Sequence, residues 1–182
     1  MSMKNISIIC ANEHSALETV ALRGALEYLG YTVTAHWVGS VDQFKQLLTG
    51  QIPLAETVLL SCHGYEEGFY GTDNVKIPLN ELNINLPGAT VLSLGCSTGT
   101  EAHARAFMKG RANNYLAPPS DPEGNSALMF ALMFFWQLNE GRDIVKSRTK
   151  ASAILKNPDD RFHLYENKKG KMLVDGSREI PL

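Results

Sequence analysis

"VLSLGCSTG", Val91 to Gly99, decides how this chain is read. Its apolar half is a buried-strand run, introduced by the turn signal Pro87-Gly88, and it ends at Gly95-Cys96 with three small residues behind it. A strand apolar on both faces belongs to a sheet covered on both sides, which is the habit of parallel sheets under helices. The cysteine then stands where such a strand leaves the core.

The segments on either side of that strand alternate. "NISIICA" (Asn5 to Ala11) is a short β-branched run, and "HSALETVALRGALEYLG" follows it with apolar residues at Leu17, Val20, Ala21, Ala25 and Leu29, near helical spacing, stopped by Gly30. "YTVTAHWVG" reads as a second strand, and "SVDQFKQLLTG" as a short helix with Ser40 as N-cap and Gly50 at its end. "TVLLSCHG" (Thr57 to Gly64) is a third strand, and Tyr65 to Pro78, rich in Gly, Tyr and Asp, is a loop or small hairpin. After the fourth strand come a helix in "GTEAHARAFMKG", a fifth strand in "NNYLAPP", and two helices in "EGNSALMFALMFFWQLNEG" and "RDIVKSRTKASAILKN". From residue 160 the apolar residues alternate on either side of a Lys-Gly turn, which predicts a terminal hairpin or edge extension over 160–182. The expected fold is α/β: a mostly parallel sheet with helices on both faces in three layers, plus the C-terminal hairpin.

Composition bounds the rest. With 182 residues, 44% hydrophobic and 20% charged, the chain suits one domain over residues 1–182 with a substantial core. A net charge of −2 gives no electrostatic reason for a polyanionic partner, so nucleic acid is not expected. Three cysteines at irregular spacing, and "MSMKN" leading straight into "ISIIC" without an apolar leader core, predict a cytoplasmic protein. "ALMFALMFFWQL" (Ala127 to Leu138) is about a dozen residues where a bilayer needs roughly 20, so no membrane is expected. That segment reads as a helix buried on nearly all sides, with a subunit interface in a homo-oligomer as the alternative.

In parallel sheets, chemistry gathers at the carboxyl ends of the strands. Those ends carry Asn12, Glu13 and His14 after the first strand, His63-Gly64 after the third, Cys96 to Gly99 after the fourth, and Pro118 to Asp121 after the fifth. If the third and fourth strands pair, His63 and Cys96 face one another, about 4.8 Å being the spacing of neighbouring strands. An imidazolium and a helix N-terminus, both expected here, favour the thiolate that a cysteine nucleophile needs. Gly64 and Gly95 allow close backbone approach, and the N–H groups of Gly64 and Cys96 can point at a developing oxyanion. This is the outline of an acyl-transfer site. Cys10 and Cys62 are expected in the core, and His103 partly exposed; His14 stands within reach of the site. A zinc site from Cys62, His63 and Cys96 lacks a fourth ligand, and no nucleotide-binding glycine pattern is present, so neither metal nor organic cofactor is expected.

"LLSCHG" and "VLSLGCSTG" resemble the paired strand-end motifs of the caspase-like cysteine peptidases, and among these the CHAT domains, whose strands end in His-Gly and in a small residue, Cys and Thr-Gly. The resemblance implies a caspase-like sheet and a cysteine endopeptidase that cleaves a peptide or protein substrate through a thioester, with His63 as general base or proton carrier, Cys96 as nucleophile and Gly64 as an oxyanion-hole donor. It also implies a pocket for the residue before the scissile bond drawn from Asn12, Glu13, Leu94, Ser120 and Asp121, with a basic side chain preferred if Glu13 or Asp121 lines it. Both acids have plainer uses, Glu13 at a helix start and Asp121 in a turn. The caspase signature Q-A-C-[RQG]-G is absent, and the family includes members without peptidase activity, so a catalytically silent module that binds a peptide or protein at the same strand ends is the alternative.

Overall fold

The computed structural model describes residues 4–157, 160–168 and 170–182. Each strand segment read above forms a strand: β1 (Asn5–Cys10), β2 (Thr32–Trp37), β3 (Thr57–Ser61), β7 (Thr90–Ser93) and β8 (Asn114–Ala117). They pair in parallel in the order β8-β7-β3-β1-β2. Three antiparallel strands, β9 (His163–Lys168), β10 (Lys171–Val174) and β11 (Arg178–Pro181), continue the sheet beyond β8 to eight strands. The expected tail hairpin is therefore an edge extension of three strands; Lys169, half of its Lys-Gly turn, lies outside the described residues.

Side chains alternate between the faces with period two, and both faces are dry. Ile9, Val58, Leu60, Val91 and Tyr115 pack under α2 (Val41–Leu48) and α3 (Glu101–Lys109), while Ile6, Ile8, Leu59, Leu92 and Leu116 pack under α1 (Ala16–Tyr28), α4 (Gly124–Asn139) and α5 (Ile144–Ser152). This is the three-layer α/β arrangement that the sequence predicts. Ser40 caps α2 as expected, its hydroxyl accepting from the Gln43 amide. Among the described residues no helix is long and apolar enough to cross a membrane.

The structure forms the small hairpin expected between Tyr65 and Pro78, pairing β5 (Gly68–Tyr70) with β6 (Lys76–Pro78), and adds β4 (His63–Tyr65) to make a second, antiparallel sheet of three strands. Phe69 and Ile77 of this small sheet are fully buried on the α2/α3 side, which explains why so short a sheet is ordered. The structure departs from the sequence reading in α1 and α4. In α1 the buried face is Thr19, Leu22 and Leu26, whereas Leu17 and Val20 are 85% and 58% exposed. α4 is not buried all round: Met129 and Trp136 reach solvent.

Candidate active site

Along the carboxyl edge of the sheet the strand ends stand in the order β8, β7, β3, β1, β2. Read across that edge, Ser120 and Asp121 come first, then Cys96, His63, the Asn12–His14 turn, and Trp37. β3 and β7 pair directly, Thr57 against Thr90 through Leu60 against Ser93, so the candidate dyad occupies neighbouring strand ends. His63 is the first residue of β4 rather than the last of β3, with Cys62 buried between them.

The two motifs meet backbone to backbone. A methyl group on Gly64 would lie 2.6 Å from the Cys96 carbonyl oxygen and collide with the Thr98 methyl, and one on Gly95 would lie 3.1 Å from the Gly64 nitrogen. No other residue fits at Gly64 without parting the two motifs. His63 and His14 are both exposed, their rings 5.9 Å apart and tilted by 58°. Among the described residues no hydrogen bond joins His63 to Cys96, a gap common before substrate closes a site.

The turn that carries Cys96 is held from several directions. Thr98 Oγ1 donates to the Gly95 carbonyl (2.7 Å), the Ser93 hydroxyl stands 2.9 Å from Thr98 Oγ1, and the Gly95 amide donates to Ser93 Oγ (3.3 Å). Because Thr98 spends its proton on Gly95, Ser93 is the donor in the pair between the two hydroxyls. Tyr115 and Tyr165 donate their hydroxyls to the Thr98 and Gly99 carbonyls (3.0 and 2.7 Å). The β8 side completes the frame: Ser97 and Gly99 amides donate to Ser120 and Pro118 carbonyls, and Ser97 Oγ donates to the Asp121 carboxylate (2.7 Å). Ser97 sits at φ 55°, a left-handed conformation that costs a non-glycine residue about 1–3 kcal/mol and persists here under these bonds.

Electrostatics at the cysteine run against the activation expected from sequence. Burial and then the Asp121 carboxylate push the half-buried Cys96 thiol above its ordinary value. The helix expected after Cys96 begins at Glu101, and the Thr100 side chain caps it by accepting from the His103 amide. Cys10 and Cys62 are buried as expected, and burial holds both thiols protonated. Glu18, which the sequence reading passed over, is a largely buried carboxyl raised by burial, accepting a 2.6 Å bond from Ser61 Oγ at the end of β3.

His103 is fully buried, where partial exposure was expected. Its Nε2 donates to the Gly68 carbonyl (3.3 Å), its Nδ1 meets Thr100 Oγ1 (2.9 Å), and its ring stands edge-on to Phe69. Burial lowers its pKa to about 4, so it is a neutral imidazole. It ties the helix after Cys96 to the small sheet that carries His63.

Ser120 and Asp121 flank Cys96 on the β8 side and brace its turn; Asn12 and Glu13 lie beyond His63 on the β1 side, lining a separate cavity. Leu94 is buried in the core against the α4 side.

No protein-family model and no curated protein matches the chain. Solved structures do. Arg-specific gingipain R superposes with a TM-score of 0.60 at 12% identity over 90% of this chain and 46% of that one. Separase in the Saccharomyces cerevisiae separase–securin complex gives 0.59 at 11% identity, over 86% of this chain and 11% of that one. The complex of the Porphyromonas gingivalis RgpB pro- and mature domains gives 0.59 at 12% identity, over 87% and 44%. The chain thus spans less than half the length of each. At such identity the likeness speaks for the fold alone, and the fold is the caspase-like one shared by these cysteine peptidases.

Proposed function

We propose that the protein is a cysteine peptidase-like hydrolase of CHAT type, acting on a peptide or protein in the cytoplasm with Cys96 as nucleophile and His63 as proton carrier. The observation that carries this reading is the seating of Gly64 against the Cys96 carbonyl, because it brings the His-Gly and Cys-Ser-Thr-Gly motifs into contact on a peptidase fold. Three unpaired cysteines suit a reducing compartment.

With the resting thiol held up by burial and Asp121, Cys96 keeps its proton until it attacks. His63 takes the Cys96 proton as Sγ bonds to the scissile carbonyl carbon, and the carbonyl electrons move to oxygen, stabilised by the Gly64 and Cys96 amides. The C–N bond then breaks, the departing amine takes the proton from His63, and a thioester remains. Water attacks the thioester while His63 accepts its proton, and return of that proton to sulfur releases the acid.

The test is labelling by peptidyl acyloxymethyl ketones, read by peptide mass. The expected result is modification of Cys96 but not Cys10 or Cys62, slowed about 10²–10⁴-fold in His63→Ala. Equal labelling of all three cysteines, or indifference to His63, overturns the reading. The raised thiol and the missing His63–Cys96 bond favour a second reading, a silent module that binds a peptide at the same strand ends; peptide binding unchanged in Cys96→Ala, with no turnover by the wild type, is its signature.

A further inference from the structure

The two helical layers differ in what they show to water. Leu17, Val20 and Tyr28 of α1 and Met129 and Trp136 of α4 are exposed, Tyr28 at 92%, whereas α2 and α3 on the other face expose no large apolar side chain among the described residues. α4 packs beside α1, so the five belong to adjacent helices of one layer. Together they hold roughly 700 Å² open to solvent, above the roughly 300–600 Å² of the largest patch on an ordinary monomer. A standard interface between stable partners takes about 800 Å² from each.

We propose that this face joins two copies of the chain, with α1 crossing its counterpart antiparallel about a two-fold axis. A two-fold contact must be complementary to itself, and the outer stripe of α1 is. With the axis between Leu22 and Arg23, Leu17 meets Tyr28 of the partner subunit and Ala21 meets Gly24 of the partner subunit, each pair being equidistant from the axis. Packed helices that cross are closest at the axis and diverge away from it. Ala21 and Gly24, small and exposed, stand at the close approach, where nothing larger than alanine fits. Leu17 and Tyr28 stand about 8 Å to either side, where the helices part and large side chains fill the gap. Arg23 and Glu27, at the edge of the stripe, bond each other at 2.8 Å and so bring their own counter-charge to the contact. An axis lying in the face sets each helix opposite its own copy, which places Met129 and Trp136 against α4 of the second copy. None of this depends on the chemistry at Cys96.

Sedimentation velocity of the full chain over a dilution series tests the proposal. The expected result is a species of about 40 kDa, twice the 20.0 kDa chain, that dissociates on dilution. Ala21→Glu sets two carboxylates near the axis and is expected to be monomeric at the same concentrations, with an unchanged far-UV circular dichroism spectrum because the position is exposed. Leu17→Glu and Tyr28→Lys are each expected to weaken the dimer at least about tenfold. Both changes in one chain are expected to restore it, since each new carboxylate then faces a new ammonium across the axis. A wild type that stays monomeric at every concentration overturns the proposal, as does a dimer indifferent to Ala21→Glu, which must join through another surface. A double variant no stronger than its two parents overturns the placement of the axis.

Discussion

Replacing Gly64 by alanine measures the contact on which the dyad depends. The added methyl would lie 2.6 Å from the Cys96 carbonyl oxygen, below the 3.0 Å that real contacts of this kind respect, and would overlap the Thr98 methyl. Neither neighbour can yield cheaply, since one is backbone and the other belongs to a fully buried residue bonded to Gly95 and Ser93. Overpacking of this kind costs about 1–3 kcal/mol. Gly24→Ala supplies the opposite sign from the same chemical change: it lies inside α1 with nothing within 4 Å of the added methyl, so alanine gains about 0.5–1 kcal/mol of helix propensity. Urea unfolding of both variants gives the two stabilities, and peptidyl ketone labelling of Cys96 reports whether the motifs have parted. Gly64→Ala is expected to be less stable and slow to label, and Gly24→Ala more stable and unchanged in labelling. A Gly64→Ala protein within about 0.5 kcal/mol of wild type, labelling at the wild-type rate, would refute the close seating of the motifs.

Iodoacetamide alkylation of Cys96 should rise with pH through an apparent pKa above the ordinary value near 8.5, and Asp121→Asn should move that midpoint downward by removing a carboxylate that disfavours the thiolate; a midpoint below 8.5 in the wild type contradicts a resting thiol. His103 binds its proton at about 4 in the folded chain and near 6.5 when unfolded, so between these values the unfolded state holds more protons and stability rises with pH. The wild type should therefore lose up to about 3 kcal/mol as pH falls from 6.5 to 4, and His103→Gln, which keeps a donor toward Gly68 but does not titrate, should lose less. Identical slopes in urea unfolding across that range would show that His103 is not the group being charged.

The alternation of strands and helices was legible because both faces of every central strand are buried, which writes an unbroken apolar run into the sequence. His63 and Cys96 were legible for a related reason: each stands just after such a run. The face of α1 was not, because "ALETVALRGALEY" offers apolar residues on more than one side, and only the sheet selects Leu22 and Leu26 over Leu17 and Val20. His103 looked polar and therefore exposed, yet its partner is the Gly68 carbonyl, 35 residues away, which no local pattern reveals. Glu18 had one faint signal: Ser61, a hydroxyl at the end of a buried strand, needed a partner. The thiol of Cys96 was expected to be activated by an imidazolium and a following helix, whereas the fold half-buries it and brings the Asp121 carboxylate, held by Ser97 Oγ, close to it.

The most direct test of the central claim is to incubate the full chain with a proteome-derived peptide library and map new termini by mass spectrometry, with Cys96→Ala and His63→Ala in parallel. Cleavage by the wild type that is lost in Cys96→Ala and falls at least about 10²-fold in His63→Ala is the predicted result. Cleavage that survives in Cys96→Ala, or a wild type that cleaves nothing in the library, would contradict the assignment of these two residues as a catalytic dyad.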